Sequence, residues 1–207
     1  MQLRAMARRA VRSVMTAGAT AAWAAMAISP AAAHAAPVTY EIEPGHTYPS
    51  FEADHLGGLS VWRGKFNKTA GQIVMDKAAG TGGVDLIVEM DSVDFGHDQM
   101  NAVARGPQLF EVDKFPHARF KGNLVDFTDG APGKVVGELT LHGVTRPLTL
   151  EIRQFKCMPH PLFKRELCGA DAHATFQRDA FGLDAGKSYG FKMDVTLRIQ
   201  VEAIAAE

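Results

Sequence analysis

Apolar and polar residues alternate with period two along most of this chain. Val38, Tyr40 and Ile42 interleave with Thr39, Glu41 and Glu43, and Val84, Leu86, Val88 and Met90 interleave mostly with acids. In GELTLHGVTRPLTLEI, residues 137–152, Leu139 and Leu141 precede a break at Gly143, and Leu148, Leu150 and Ile152 follow Pro147. Alternation on both sides of a short Gly- and Pro-marked break predicts two half-buried strands folded into a hairpin. The clearest run is FKMDVTLRIQVEA at 191–203. There Phe191, Met193, Val195, Leu197, Ile199, Val201 and Ala203 face one way, with only polar or charged residues between them. At roughly 3.3 Å per residue that strand would be about 40 Å long, beyond the usual range. Further strands are predicted at 48–55, 59–66, 70–77, 117–127 and 170–178.

Turn chemistry separates these runs: Gly57-Gly58, the stretch Ala79 to Gly83, Asp129 to Gly133, and Gly182 to Gly186. Asp98 to Arg105 predicts one short helix, stopped by Gly106-Pro107. No second composition regime and no internal repeat is visible. The pattern is that of one antiparallel all-β domain with one or two short helices, either a sandwich or a barrel. An eight-stranded barrel has an interior that side chains just fill, or that holds one slim ligand.

The first 35 residues read differently. Arg4, Arg8, Arg9 and Arg12 head a weakly apolar, Ala-rich stretch, and small-x-small sites end at Ala33 and Ala35. This is the pattern of a cleaved secretory signal, too short and weakly hydrophobic for a good membrane span. Arg8-Arg9 raises twin-arginine export, although the surrounding residues match that signal poorly. The expected product is a periplasmic domain of residues 36–207. Losing the four signal arginines from 22 basic residues leaves 18 against 23 acidic ones. A mildly acidic domain of this kind has no electrostatic footprint for nucleic acid.

In an exported chain the two cysteines, Cys157 and Cys168, are most simply a structural disulfide. A metal site that also uses His160 competes with this, but the spacing matches no common zinc pattern.

Phase assigns the inward faces. Phe51, Ala53 and His55 share one, Trp62, Gly64 and Phe66 another; so do Phe120, Gly122 and Leu124, and Ala172, Ala174, Phe176 and Arg178. Two features recur. Several inward positions are small, which either accommodates bulky neighbours such as Trp62 or leaves a cavity. Two are ionisable, His55 and Arg178. An unpaired guanidinium in a dry core costs several kcal/mol, so Arg178 needs a carboxylate, for which Asp179 and Glu52 are candidates, or a polar ligand group.

On EPGHTYPSFEADHLGGLSVWRGKF (43–66), GQIVMD (71–76), FEVDKFPHARFKG (110–122), GELTLHGVTRPLTLEI (137–152) and FQRDAFGLD (176–184), the chain resembles the YceI-like family. These are lipocalin-like periplasmic proteins described as polyisoprenoid-binding. The resemblance implies an extended eight-stranded antiparallel β-barrel with an elongated apolar pocket for an isoprenoid chain of quinone or prenyl phosphate type. It implies an apolar lining of Phe51, Trp62, Phe66, Leu109, Phe110, Phe120, Phe176 and Phe191, with His55 and Arg178 as polar contacts. The likeness lapses where the family usually carries an Arg-Asp-x-His-Leu helix and this chain has Met100-Asn101-Ala102-Val103-Ala104-Arg105. The Cys157–Cys168 insertion is likewise not general in the family.

A carrier or sequestering protein for an isoprenoid lipid is therefore the leading expectation, with no cofactor beyond that lipid. An enzyme is the weaker alternative. No Gly-x-Ser-x-Gly, His-Glu-x-x-His or Walker motif is present, and the histidines are scattered, although a metal-dependent enzyme would draw on them. A third reading is an interaction module for a membrane redox partner. It would use the CMPHPLFKRELC loop, where Met158, Leu162 and Phe163 stand beside Lys164 and Arg165. An ordinary clipped hairpin tip explains the same loop more simply. A homodimer is left open, since no interface is legible.

Overall fold

The computed structural model describes residues 36–207. The strands are β1 (Val38–Ile42), β2 (Tyr48–His55), β3 (Ser60–Phe66), β4 (Thr69–Asp76), β5 (Thr81–Glu89) and β6 (Val93–Asp94). After α1 (Asp98–Arg105) come β7 (His117–Val125), β8 (Lys134–Leu141), β9 (Val144–Pro159), β10 (Glu166–Gln177) and β11 (Asp194–Ala205). The expected secretory signal falls outside the described residues.

The order β1-β4-β5-β7-β8-β9-β10-β11, with β11 pairing back to β1, closes an eight-stranded antiparallel barrel. Closure removes the exposed edge of an open sheet. Two barrel strands are interrupted, which gives the sheet its side branch of β2, β3 and β6. β1 and β2 both lie against β11, Ile42 opposite Ala203 and Tyr48 opposite Gln200. Their partners β4 and β3 follow the same division. At the interruption the buried Thr47 hydroxyl accepts from Glu202 N–H at 3.1 Å and donates to Glu202 O at 3.2 Å. One side chain thus stands in for a missing rung of the ladder.

The hairpin read from residues 137–152 joins β8 to β9 through His142-Gly143, with Leu141 opposite Val144. Both turn residues have positive φ, 51° and 75°, as a two-residue turn matching the strand twist requires. Histidine is among the residues that adopt this region more readily than most. Gly143 is needed for space as well, since a Cβ there would meet the Phe115 ring at 2.7 Å.

The helix spans Asp98–Arg105 as predicted, capped by the His97 ring accepting from Met100 N–H and ended at Gly106. Its buried Ala104 and Asn101 face the barrel end. The Asn101 side chain accepts from Phe95 N–H and donates to Asp94. The last strand differs from its prediction. It begins at Asp194, so Phe191 and Met193 lie outside it. Gly186 and Gly190, both at positive φ, fold residues 186–191 into a turn, and Met193 O is taken by Arg178 N–H.

Candidate functional site

Inside the barrel is a cavity of about 450 Å³. Its wall runs from Tyr40, Phe155 and Ala170 at the end near the β9–β10 tip to His55, Leu109 and Phe191 at the end capped by α1. Val103 and Gln108 are the wall residues most exposed to solvent, which puts the opening beside α1. The strand phase explains the lining: inward positions of every barrel strand contribute, and nearly all are apolar.

All ten residues singled out from the sequence border this cavity. Phe51, Trp62, Phe66, Leu109, Phe110, Phe120, Phe176 and Phe191 form part of its apolar wall, and His55 and Arg178 also face it. Five aromatic rings, Phe51, Trp62, Phe66, Phe95 and Phe110, form one cluster at the α1 end. Phe51 touches Phe66 and Phe95, with ring centroids 5.6 and 5.3 Å apart, Trp62 meets Phe95 at 6.0 Å, and Phe66 meets Phe110 at 5.8 Å.

Inward small residues serve two different purposes. Gly64 lies opposite Phe51, and a Cβ there would come within 2.5 Å of the Phe51 ring, so this glycine only makes room for a neighbour. Gly122 and Gly137 let β7 and β8 approach closely; a Cβ at Gly122 would lie 2.8 Å from Val136 O. Ala53 and Ala172, by contrast, border open space.

His55 is held between aromatic rings, Trp62 at 5.1 Å and the edge of Phe191 at 5.0 Å, and its Nδ1 lies 3.4 Å from Ser60 Oγ. Arg178 is buried in a short 3-10 turn just past β10 rather than on the strand itself. Neither candidate carboxylate pairs with it. Asp179 binds Lys187 at 2.7 Å, and Glu52 lies on the outer surface with Arg63 and Arg198. Hydrogen bonds from Arg198 and Arg63 hold the Glu52 carboxyl below its ordinary range. The Arg178 guanidinium instead donates to Leu183 O at 2.6 Å and Ala185 O at 2.7 Å. Burial lowers its pKa, against the opposing influence of Asp179, Asp184 and Asp54.

The opposite end of the cavity is polar only at its floor. Tyr40, 1% exposed, donates its hydroxyl to Glu166 at 2.5 Å, and Lys77 binds Glu166 at 2.7 Å. Burial, then the Glu166 hydrogen bond, push the Tyr40 phenol well above its usual range. Burial alone would raise the Glu166 carboxyl, but hydrogen bonds from Lys77 and Tyr40 outweigh it and the net direction is down. Beside this group, Cys157 and Cys168 are disulfide-bonded across the β9–β10 ladder, and Cys168 borders the cavity. Glu166 is close to both sulfurs, but joined sulfurs are not thiolate ligands. His160 is turned to its own loop, its Nδ1 accepting from Leu162 and Phe163 N–H.

Tyr40 and Met90 are in phase with alternating apolar runs, and Met75 lies in a predicted strand with no assigned face; all three are cavity wall beyond the ten residues singled out. Phe95, Met100 and Leu183 also line it, but from turns and the helix, where period two gives no signal.

A closed barrel around a mostly apolar chamber defines the class of protein with room inside it for an apolar guest. Residues 40–203 match the model of the YceI-like domain. The chain belongs to the YceI-like family. It is 35% identical over 130 residues to a UPF0312 protein of Vibrio parahaemolyticus, an alignment covering 61% of this chain and 67% of that protein. A UPF0312 protein of Yersinia pestis is 34% identical over 128 residues, covering 61% and 66%. The chain thus spans about two thirds of the length of these relatives. Among solved structures, the Campylobacter jejuni YceI protein superposes with a TM-score of 0.61 at 22% identity, covering 72% of this chain and 88% of that one. A polyisoprenoid-binding domain from Saccharophagus degradans gives 0.57 at 17% identity, covering 82% and 99%. At such identities these structures establish the fold.

Proposed function

We propose that this protein binds an isoprenoid lipid, of quinone or prenyl phosphate type, with its tail along the barrel cavity, and carries or sequesters it in the periplasm. The observation that carries this reading is the elongated apolar cavity with its opening beside α1. Each methylene moved from water to such a wall gains about 0.8 kcal/mol, so a long chain is favoured over a short one. Membership of the YceI-like family and the likeness to a domain named for polyisoprenoid binding support the same class of guest. Phe51, Trp62, Phe66, Leu109, Phe110, Phe120, Phe176 and Phe191 would contact the chain, and His55 and Arg178 the polar end. The Cys157–Cys168 disulfide fits an oxidising compartment. The test is an organic extract of protein purified from a bacterial host, analysed by mass spectrometry. Prenyl lipid in stoichiometric amount is expected; a clean extract from folded protein would refute the reading.

A second reading has one observation in its favour. At the β9–β10 tip, Leu162 and Phe163 are 78% and 56% exposed, beside Lys164 and Arg165. Such a tip suits docking on a membrane redox protein. Phe163→Ser should then abolish capture of that partner and leave lipid content unchanged; unaltered capture removes the loop from consideration.

A further inference from the structure

We propose that the cavity selects lipids ending in an oxyanion, phosphate or carboxylate, and that Arg178 reads this charge. The proposal rests on the lipid-binding reading above and decides which head group it concerns. Arg178 is 8% exposed and borders the cavity. A guanidinium carries five N–H donors. Here Nη1 and Nη2 each give one hydrogen bond, to Leu183 O and Ala185 O, and the guanidinium makes no further bond among the described residues. Among those residues no carboxylate lies within ion-pairing distance of the group either. Asp179 is committed to Lys187; Asp54, which also borders the cavity, accepts from the backbone N–H of Gly57 and Lys192; and Asp184 acts on Arg178 only from beyond that distance.

A buried cation whose hydrogen bonds go only to carbonyls, with Asp179, Asp184 and Asp54 acting on it from beyond ion-pairing distance, is costly, and a carboxylate in direct contact would have been the ordinary remedy. The surroundings give it a place in the binding path. Ala185 and Gly186 belong to the same stretch of wall, Phe191 packs over Gly186, and the Phe191 edge meets His55. Arg178 therefore stands at the α1 end, where the opening is, and not at the floor beside Tyr40. A guest lying tail-inward brings its head to this level. A quinone offers neutral carbonyl oxygens there. An oxyanion offers acceptors in a fork geometry together with the missing charge.

The test uses the purified full-length protein, stripped of lipid, and follows tryptophan emission during titration with farnesyl phosphate and with farnesol. The two probes share their tail, so the head group is the sole variable. Farnesyl phosphate is expected to bind roughly tenfold or more tightly than farnesol, since hydrogen bonds to charged groups are the strong ones. In Arg178→Met the ratio of the two affinities should fall to about one, and Arg178→Lys should keep part of the preference. If removing the two carbonyl contacts prevents folding of the methionine variant, the wild-type comparison decides alone. Equal binding of the two probes overturns the proposal and leaves the lipid-binding reading intact. Failure of both probes to bind overturns both. Inorganic phosphate at micromolar concentration should not displace farnesyl phosphate; displacement would mean a free-anion site and sink the head-group assignment.

Discussion

Replacing Ala172 with phenylalanine asks directly whether the barrel is hollow. Ala172 sits in mid-barrel on β10, opposite Ile152 of β9 and Ile199 of β11, and it borders the cavity. In a close-packed interior, inserting a large side chain costs about 1–3 kcal/mol through strain and displaced neighbours. Where the Cβ borders a cavity of about 450 Å³ in all, the ring has space to turn into. It then gains the burial of an aromatic side chain, about 1.5–3 kcal/mol relative to exposure. The two situations differ in sign, by several kcal/mol in all. For a domain of this size 1 kcal/mol moves Tm by about 2–4 °C, so the difference is easily measured. The assay is urea unfolding of lipid-stripped wild type and Ala172→Phe, because bound lipid would stabilise the wild type by mass action and mask the comparison. The expected result is an unchanged or higher midpoint with unchanged m, together with reduced lipid uptake. A midpoint lowered by the equivalent of more than about 1 kcal/mol (midpoint shift times m) at constant m would refute the hollow barrel.

Two further outcomes are expected. Removing the Cys157–Cys168 bond, by Cys157→Ser with Cys168→Ser, should cost about 2–3 kcal/mol in urea unfolding on the chain-entropy model. A loss below about 0.5 kcal/mol would mean that β9 and β10 already associate in the denatured chain. Glu166 has a lowered carboxyl pKa in the folded state, so its contribution is present above the ordinary glutamate value of about 4.3 and is lost as pH falls through the folded value. Tyr40 has a raised one, so its contribution is present below the ordinary tyrosine value of about 10 and is lost as pH rises beyond it. Glu166→Gln should flatten the acid limb of a Tm-against-pH curve, and an unchanged limb would assign it to other carboxylates.

Much of the fold was legible because alternation reports directly which side of a sheet a residue occupies. That is why the strand starting at His117, the Leu141–Val144 hairpin and the helix over 98–105 agree with expectation, although the first ends two residues early at Val125 and β9 runs on past Ile152 to Pro159. The final strand was over-extended at its start, since the Phe191 and Met193 phase continues through a turn built on Gly186 and Gly190. That β1 and β2, separate strands in the sequence pattern, both lie along β11 was invisible for a different reason. It depends on Thr47 bonding a strand that lies about 155 residues away in sequence, and no local pattern encodes that. Arg178 shows the same limit. Its neighbours Asp179 and Glu52 looked like partners in the sequence, yet the turn chemistry of 178–185 hands it to two carbonyls instead.

The cavity itself was the hardest feature to read, and the small residues explain why. Gly64 and Ala172 carry the same sequence signal, a small residue in phase with large apolar ones. In the fold Gly64 is filled by Phe51 from across the strand pair, whereas Ala172 faces space. Alternation specifies what points inward and says nothing about whether the inward volumes add up to a packed interior. That sum depends on barrel closure, which brings residues from Tyr40 to Ala203 around one axis. A hollow barrel and a filled one therefore differ in sequence by a few methylenes per strand, which is the quantity that Ala172→Phe measures.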